Sequence, residues 1–211
     1  MGKDEHLKLS RRLVVLICLA QVIVITCYLH LNLQFVRHLR PLSVNITFAD
    51  FITEYKLITQ IDVRRCVAKK LFIFVITALT SFDQRELIRQ TWAHKKHMKD
   101  AVVWFVVGQP MTSVHENLLS MEHAEYEDLI RTSIPDGYNS TALKVYAGYH
   151  VHQKYCSHIP LILRADDDVI VIPDRVVHFI DSFDFDDKSI YGIVWDNGSL
   201  PNRDPNSKWY L

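Results

Sequence analysis

The 211-residue sequence has no surplus of either charge: 24 Lys and Arg stand against 24 Asp and Glu. With that balance, and with no Lys/Arg stripe interleaved with aromatics, it presents no basic field for nucleic acid. Cysteine is scarce at 4 residues. There is no CxxC, no HExxH and no Cys/His cluster, so the usual zinc ligand sets are missing; His94 with His97, and His150 with His152, sit among polar residues as on solvated helix faces. Disorder-like composition is absent as well. With 49% hydrophobic residues, the chain can build one ordinary domain with its own core, plus an appendage.

The appendage is N-terminal. Leu13 to Leu29, LVVLICLAQVIVITCYL, is seventeen residues without a charge, interrupted only by the polar Gln21 and Thr26. Extended to Leu33, it reaches the roughly 20 residues that a bilayer-spanning helix needs. The run is long for a cleaved signal peptide and no small-x-small site follows it, whereas a core helix of this length would show a polar face. Lys3, Lys8, Arg11 and Arg12 precede it and favour a cytoplasmic N-terminus, against Arg37 and Arg40 on the far side. The expected organisation is a cytoplasmic tail over 1–12, a transmembrane signal anchor over 13–33, a lumenal stem over 34–65 without sustained periodicity, and a domain over 66–211.

A lumenal domain would meet a glycosylating, oxidising compartment. Asn-x-Ser/Thr acceptors stand at Asn45, Asn139 and Asn197. Cys18 and Cys27 fall in the membrane segment, which leaves Cys66 and Cys156; a disulfide and two buried free thiols both fit this pair.

Within the domain, Leu71 to Ala78 (LFIFVITA) and Val102 to Gly108 (VVWFVVG) are continuous apolar runs, as in strands buried on both faces. Each is followed by a helical segment, with Asp83 and Glu86 at capping-box spacing in the first and Ser113 and Glu116 in the second. A further helix is expected through TALKVYAGYHVHQKYC, and a strand over Ile159 to Ala165. Alternating strands and helices predict an α/β domain with a mostly parallel sheet, whose ligands bind beyond the carboxyl ends of the strands.

Asp166, Asp167 and Asp168 fall at such an end. Consecutive carboxylates repel, and partial burial adds to that cost, so the triplet calls for a cation unless it is a solvated acidic turn helped by Arg164 or Arg175. An Asp-x-Asp pair after a buried strand presents hard oxygen ligands suited to Mg²⁺ or Mn²⁺, with positions left open for substrate phosphates.

Several motifs, in order, resemble the beta-1,3-galactosyltransferases and beta-1,3-N-acetylglucosaminyltransferases of the Golgi. They are RELIRQTW (Arg85 to Trp92), WFVVG (Trp104 to Gly108), EYEDLI (Glu125 to Ile130), DGYNSTALK (Asp136 to Lys144), CSHIPLILRADDDVIV (Cys156 to Val171) and YGIVWDNGSLPNRDPNSKWY (Tyr191 to Tyr210). The resemblance implies a Rossmann-like GT-A nucleotide-sugar domain in a single-pass type II Golgi membrane protein. It would be an inverting hexosyltransferase that moves galactose or N-acetylglucosamine from a UDP-sugar to a glycan acceptor on protein or lipid, in beta-1,3 linkage, with Mn²⁺ or another divalent cation as cofactor. Carried over by residue, it implies Asp166 and Asp168 as metal ligands, Asp168 foremost. Asp167 is then placed toward the nucleotide-sugar, with Arg85, Arg89, Asp128 and Lys144 around the nucleotide. Trp92 is expected to pack its helix.

The sequence departs from the family pattern in two places. The Asn in Tyr138 to Lys144 stands one place early, and the later family segment with the Gly-rich acceptor region and catalytic base has no counterpart up to Leu211. The base is therefore left unnamed, with no motif selecting among Asp174, Asp181, Asp184, Asp186 and Asp187. An alternative follows from a different class: a catalytically inactive membrane-anchored homologue that binds nucleotide-sugar or a partner transferase. A metal-dependent phosphohydrolase would need further ligands at definable spacing, and none is found.

Overall fold

The computed structural model describes residues 19–28, 42–47, 52–182, 190–192 and 203–207. The chain divides into two units, Met1–Val177 and His178–Leu211, and the first holds the sheet. In chain order its elements are helix α1 (residues 19–28), strands β1 (Leu42–Thr47), β2 (Ile52–Leu57) and β3 (Leu71–Ile76), helix α2 (Phe82–Gln90), strand β4 (Ala101–Val107), helix α3 (Ser113–Tyr126), strand β5 (Leu129–Arg131), helix α4 (Thr141–Tyr155) and strand β6 (Leu161–Asp166). Helix α5 (Pro173–Ser182) runs across the division.

Strands β5, β4, β3 and β6 lie side by side in that order, all parallel. The two apolar runs become the central pair, and every residue of β3 and β4 is buried. A strand covered on both faces has no polar side to alternate with, so its sequence reads as uninterrupted hydrophobicity. The core on one face gathers Phe72, Phe74, Val102, Trp104 and Val106 against Ala147 and Val151 of α4. Phe74 explains the glycine in the middle of that helix: a Cβ on Gly148 would stand 2.5 Å from the Phe74 ring, so the close approach of helix to strand outweighs glycine's poor helix propensity.

The structure changes the reading of residues 52–61, expected in the stem. Tyr55, Leu57, Thr59 and Ile61 are buried in alternation with exposed Glu54, Lys56, Ile58 and Gln60, the period-two pattern of a half-covered strand. The segment continues the sheet: Ile58 N donates to Arg131 O at 2.8 Å, and Ser133 N to Lys56 O at 2.9 Å. The domain thus begins upstream of residue 66. Cys66 and Cys156 are both fully buried and joined as a disulfide with Cα atoms 5.7 Å apart, which ties the segment before β3 to the end of α4.

Two expected helix starts are also corrected. Helix α2 begins at Phe82 behind Ser81, so Asp83 lies in its first turn and not at the cap, while Glu86 accepts from Gln90 Nε2 at 2.7 Å. For α3 the cap is Thr112, whose hydroxyl accepts from His115 N at 3.2 Å. Ser113 is the first helical residue.

The expected membrane helix lacks support. Helix α1 lies inside residues 13–33, but among the described residues no helix is long and apolar enough to cross a membrane; the rest of the expected anchor lies outside the described residues.

Candidate active site at the carboxyl end of the sheet

Arg85 and Arg89 are one helical turn apart on α2, so both side chains leave the same face, and that face meets α3. Arg85 is fully buried and forks onto Glu122, from Nε to Oε1 at 2.8 Å and from Nη2 to Oε2 at 2.7 Å. Arg89 bridges two carboxylates: Nη2 reaches Glu122 Oε1 at 2.7 Å, while Nε and Nη2 hold Asp128 Oδ2 and Oδ1, each at 2.8 Å. Aromatic rings flank the Arg89 guanidinium, with Tyr126 at 4.0 Å and Phe105 at 4.9 Å from ring centre. Burial alone would raise the Glu122 pKa, but the hydrogen bonds and charges of Arg85 and Arg89 bring it below the ordinary glutamate value. A buried network of two cations and two anions is tolerable only because nearly every donor has an acceptor.

The remaining donors of Arg85 reach the loop after β3. Nη1 donates to Ala78 O at 2.8 Å and to Thr77 Oγ1 at 3.4 Å. From the other side, Lys144 of α4 donates to Thr77 O at 3.1 Å and pairs with Asp136, whose Oδ2 accepts from Leu79 N at 2.8 Å. Residues 77–79 are therefore clamped between α2 and α4. The loop leaves β3 immediately after Ile76, which sits in register with Asp166 of β6.

The carboxylate triplet is built differently. Asp166 ends β6, with Asp167 and Asp168 in the turn beyond it. Asp166 Oδ1 accepts from Arg164 Nη2 at 2.6 Å, with both side chains partly exposed. Asp167 and Asp168 have no hydrogen-bond or ion-pair partner among the described residues. These are hard oxygen donors at the open end of a parallel sheet, where a divalent cation fits by donor type. Among the described residues no three His, Cys, Asp or Glu side chains form a metal-holding group. The turn would thus supply one or two protein ligands, as sites do that leave positions for phosphates and water.

The seven residues expected from sequence at the site fall into three places. Asp166, Asp167 and Asp168 form the turn; Lys144 holds the adjacent loop; Arg85, Arg89 and Asp128 belong to the buried network behind it. Glu122 and Asp136 were not anticipated. Asp136 stands inside the DGYNSTALK block and its pairing with Lys144 was within reach, whereas Glu122 carries no local signal. Among the three acceptor asparagines, Asn139 is exposed in the turn before α4 and Asn45 lies in β1, while Asn197 falls outside the described residues.

This arrangement, a clamped loop and an acidic turn side by side beyond adjacent parallel strands, can be set against known proteins. The sequence model of the galactosyltransferase family matches residues 83–211. The chain belongs to the galactosyltransferase family. It is 29% identical over 153 residues to lactosylceramide 1,3-N-acetyl-beta-D-glucosaminyltransferase B of Danio rerio, a match covering 67% of this chain and 40% of that protein. The corresponding Homo sapiens enzyme is 27% identical over 150 residues, with the same coverage. Beta-1,3-galactosyltransferase 1 of Mus musculus is 27% identical over 145 residues, covering 67% of this chain and 44% of that protein. The chain thus spans well under half the length of these galactosyltransferase-family relatives. Its mixed α/β domain with a mostly parallel sheet fits a GT-A-like fold, and the matched region takes in α2, α3, α4 and the acidic turn.

Proposed function

We propose that the chain is the donor-binding part of a UDP-sugar-dependent hexosyltransferase that forms beta-1,3 linkages to a glycan acceptor on protein or lipid. The observation that carries this reading is the acidic turn at the carboxyl end of β6, beside the clamped loop after β3. In a parallel α/β sheet that crevice is where nucleotides sit. Asp168 and Asp166 would hold Mn²⁺, which on binding neutralises a diphosphate leaving group. Asp167 faces the nucleotide-sugar, while Lys144, Asp136, Arg85 and Glu122 fix the backbone of residues 77–79 that forms the neighbouring wall. Arg89 and Asp128 act through that network, since both Asp128 oxygens are taken by Arg89. No residue is assigned as the base that deprotonates the acceptor hydroxyl.

The same reading places the domain in the Golgi lumen behind a type II anchor over 13–33. It is supported by the apolar sequence run, by exposed Val22, Ile23, Val24 and Ile25 on α1, and by Thr26 Oγ1, which satisfies itself on Val22 O at 2.8 Å and Ile23 O at 2.9 Å within the helix. The buried disulfide suits an oxidising compartment.

The test is calorimetric titration of UDP into the full chain with Mn²⁺ and then with a chelator, for wild type and Asp168→Asn. UDP affinity should depend on Mn²⁺ in wild type and lose that dependence in the variant, because the amide keeps the shape and removes the charge. Equal affinity in all four titrations would reduce the triplet to an acidic surface turn.

A further inference from the structure

A second charged region opens toward the opposite end of the sheet and meets the site above only behind it, at Arg89, Asp128 and Phe105. Ala101 of β4 is in register with Leu71 of β3, and Leu71 with Leu161 of β6, so the first residues of β4 and the acidic turn are separated by about 16 Å along the strands. Around those first residues is a cavity of about 390 Å³, walled by Ala101, Val102 and Phe105 and rimmed by Arg65, Lys69 and Lys95. Arg89 and Asp128 also border it, but they are committed to each other.

Among the described residues the cations at this rim make no salt bridge to a carboxylate. Arg65 Nη2 donates to Val103 O at 3.3 Å and Nη1 to Glu127 O, both neutral carbonyls. Lys69 Nζ donates to Met98 O at 2.6 Å and Lys99 O at 2.7 Å, again neutral. An ammonium has three donors, so one remains on Lys69. Lys95 is exposed and makes no side-chain hydrogen bond or salt bridge among the described residues. Burial lowers the pKa of both Arg65 and Lys69; the charges of Asp128, Asp62 and Glu127 oppose this at Arg65, and at Lys69 Asp100 opposes it while Arg65 adds to it. Partly buried like charges resting on carbonyl dipoles are an arrangement that an added anion would stabilise. Phosphate and sulfate groups match it, because their several oxygens accept charge-assisted bonds from more than one cation lining the same cavity.

We propose that the cavity bounded by Arg65, Lys69 and Lys95 is a binding site for a sulfate or phosphate group, separate from the acidic turn. The proposal does not depend on the transferase reading. Its test uses the full chain, titrated by calorimetry with inorganic sulfate and with inorganic phosphate at constant ionic strength set by chloride. Both oxyanions should bind, and whichever is tighter names the source chemistry. Lys69→Met should weaken binding roughly tenfold through loss of a charge-assisted bond. Lys95→Gln, at an exposed position where the fold is not at risk, should weaken it about threefold. Asp168→Asn should leave it unchanged, which separates this site from UDP binding. Heat no greater than that of a chloride-only injection would overturn the proposal, as would undiminished binding in the Lys69→Met, Lys95→Gln double variant.

Discussion

The charge cluster between α2 and α3 and the one at the end of β6 use the same residue types under opposite conditions. Arg85, Glu122 and Asp128 are buried and Arg89 is half-buried, and the four satisfy one another. Asp166 has one arginine on one oxygen, and Asp167 and Asp168 have no partner among the described residues. A charge already paired in a dry interior has no free valence for a ligand, and its removal is felt as lost stability. An open carboxylate costs little to keep and is felt when a cation arrives. The comparison therefore separates residues that position a site from residues that would touch what binds there, and each prediction below tests that separation.

The largest effect should come from Glu122→Ala. It strands Arg85 in the interior and takes from Arg89 one of its two carboxylates, for which the expected cost is about 3–5 kcal/mol, read as a lowered urea midpoint; Asp168→Asn in the same assay should stay near wild type. If Glu122→Ala unfolds no more readily than Asp168→Asn, the buried network is not the structural element described. Its pH dependence follows from the depressed Glu122 pKa. The network's contribution is full above the unfolded glutamate value of about 4.3 and is lost as pH falls through the lower folded value. Wild type should therefore lose part of its stability in that acid window, and Glu122→Gln should flatten that limb.

Lys144→Met should come next. It removes the bond to Thr77 O and leaves half-buried Asp136 without its cation, at a cost of about 1–3 kcal/mol for the unpaired group. Because the loop after β3 loses one side of its clamp, UDP affinity should also fall, although Lys144 does not contact the nucleotide in this reading. Double replacement with Asp136→Leu should recover much of the stability, since no buried charge is then unpaired. UDP affinity should stay low in the double variant, because the loop has then lost both the Lys144 and the Asp136 bonds; recovery of affinity along with stability would show that the clamp does not position the site.

How much of this was legible in the sequence also divides along the comparison. Strands β3 and β4 announced themselves because burial on both faces leaves no polar residue in the run, and the acidic turn stood out because three adjacent carboxylates interrupt two apolar runs. Residues 52–61 were missed because their alternation includes Thr59 among the buried positions and Ile58 among the exposed ones, which blurs a period of two. The three residues of β5 were too short to carry a period at all. Arg85 and Arg89 were noticed as charged and assigned outward, toward a nucleotide. In the structure both pair with Glu122, 37 and 33 positions away in the chain, and such a pairing depends on how α2 packs on α3, which no local pattern encodes. The cap at Thr112 was misplaced by one residue because Thr112 and Ser113 are both competent N-caps.

The smallest expected change sharpens the comparison most, because it lies at its boundary. Arg164 and Asp166 are two apart on β6, so their side chains leave the same face, and they meet at 2.6 Å with both partly exposed. An ion pair so solvated is worth about 0–1 kcal/mol, and Arg164→Gln should hardly move the unfolding midpoint. Its effect on a divalent cation should be larger than its effect on the fold. The guanidinium occupies an Asp166 oxygen that a metal would use and adds a positive charge beside it, so its removal should raise Mn²⁺ affinity a few-fold, about 1 kcal/mol. Titration of Mn²⁺ alone, with no nucleotide, measures this directly. Weaker Mn²⁺ binding in Arg164→Gln would show that Arg164 orients Asp166 for the metal, and would move it from the competing side of the acidic turn to the supporting one.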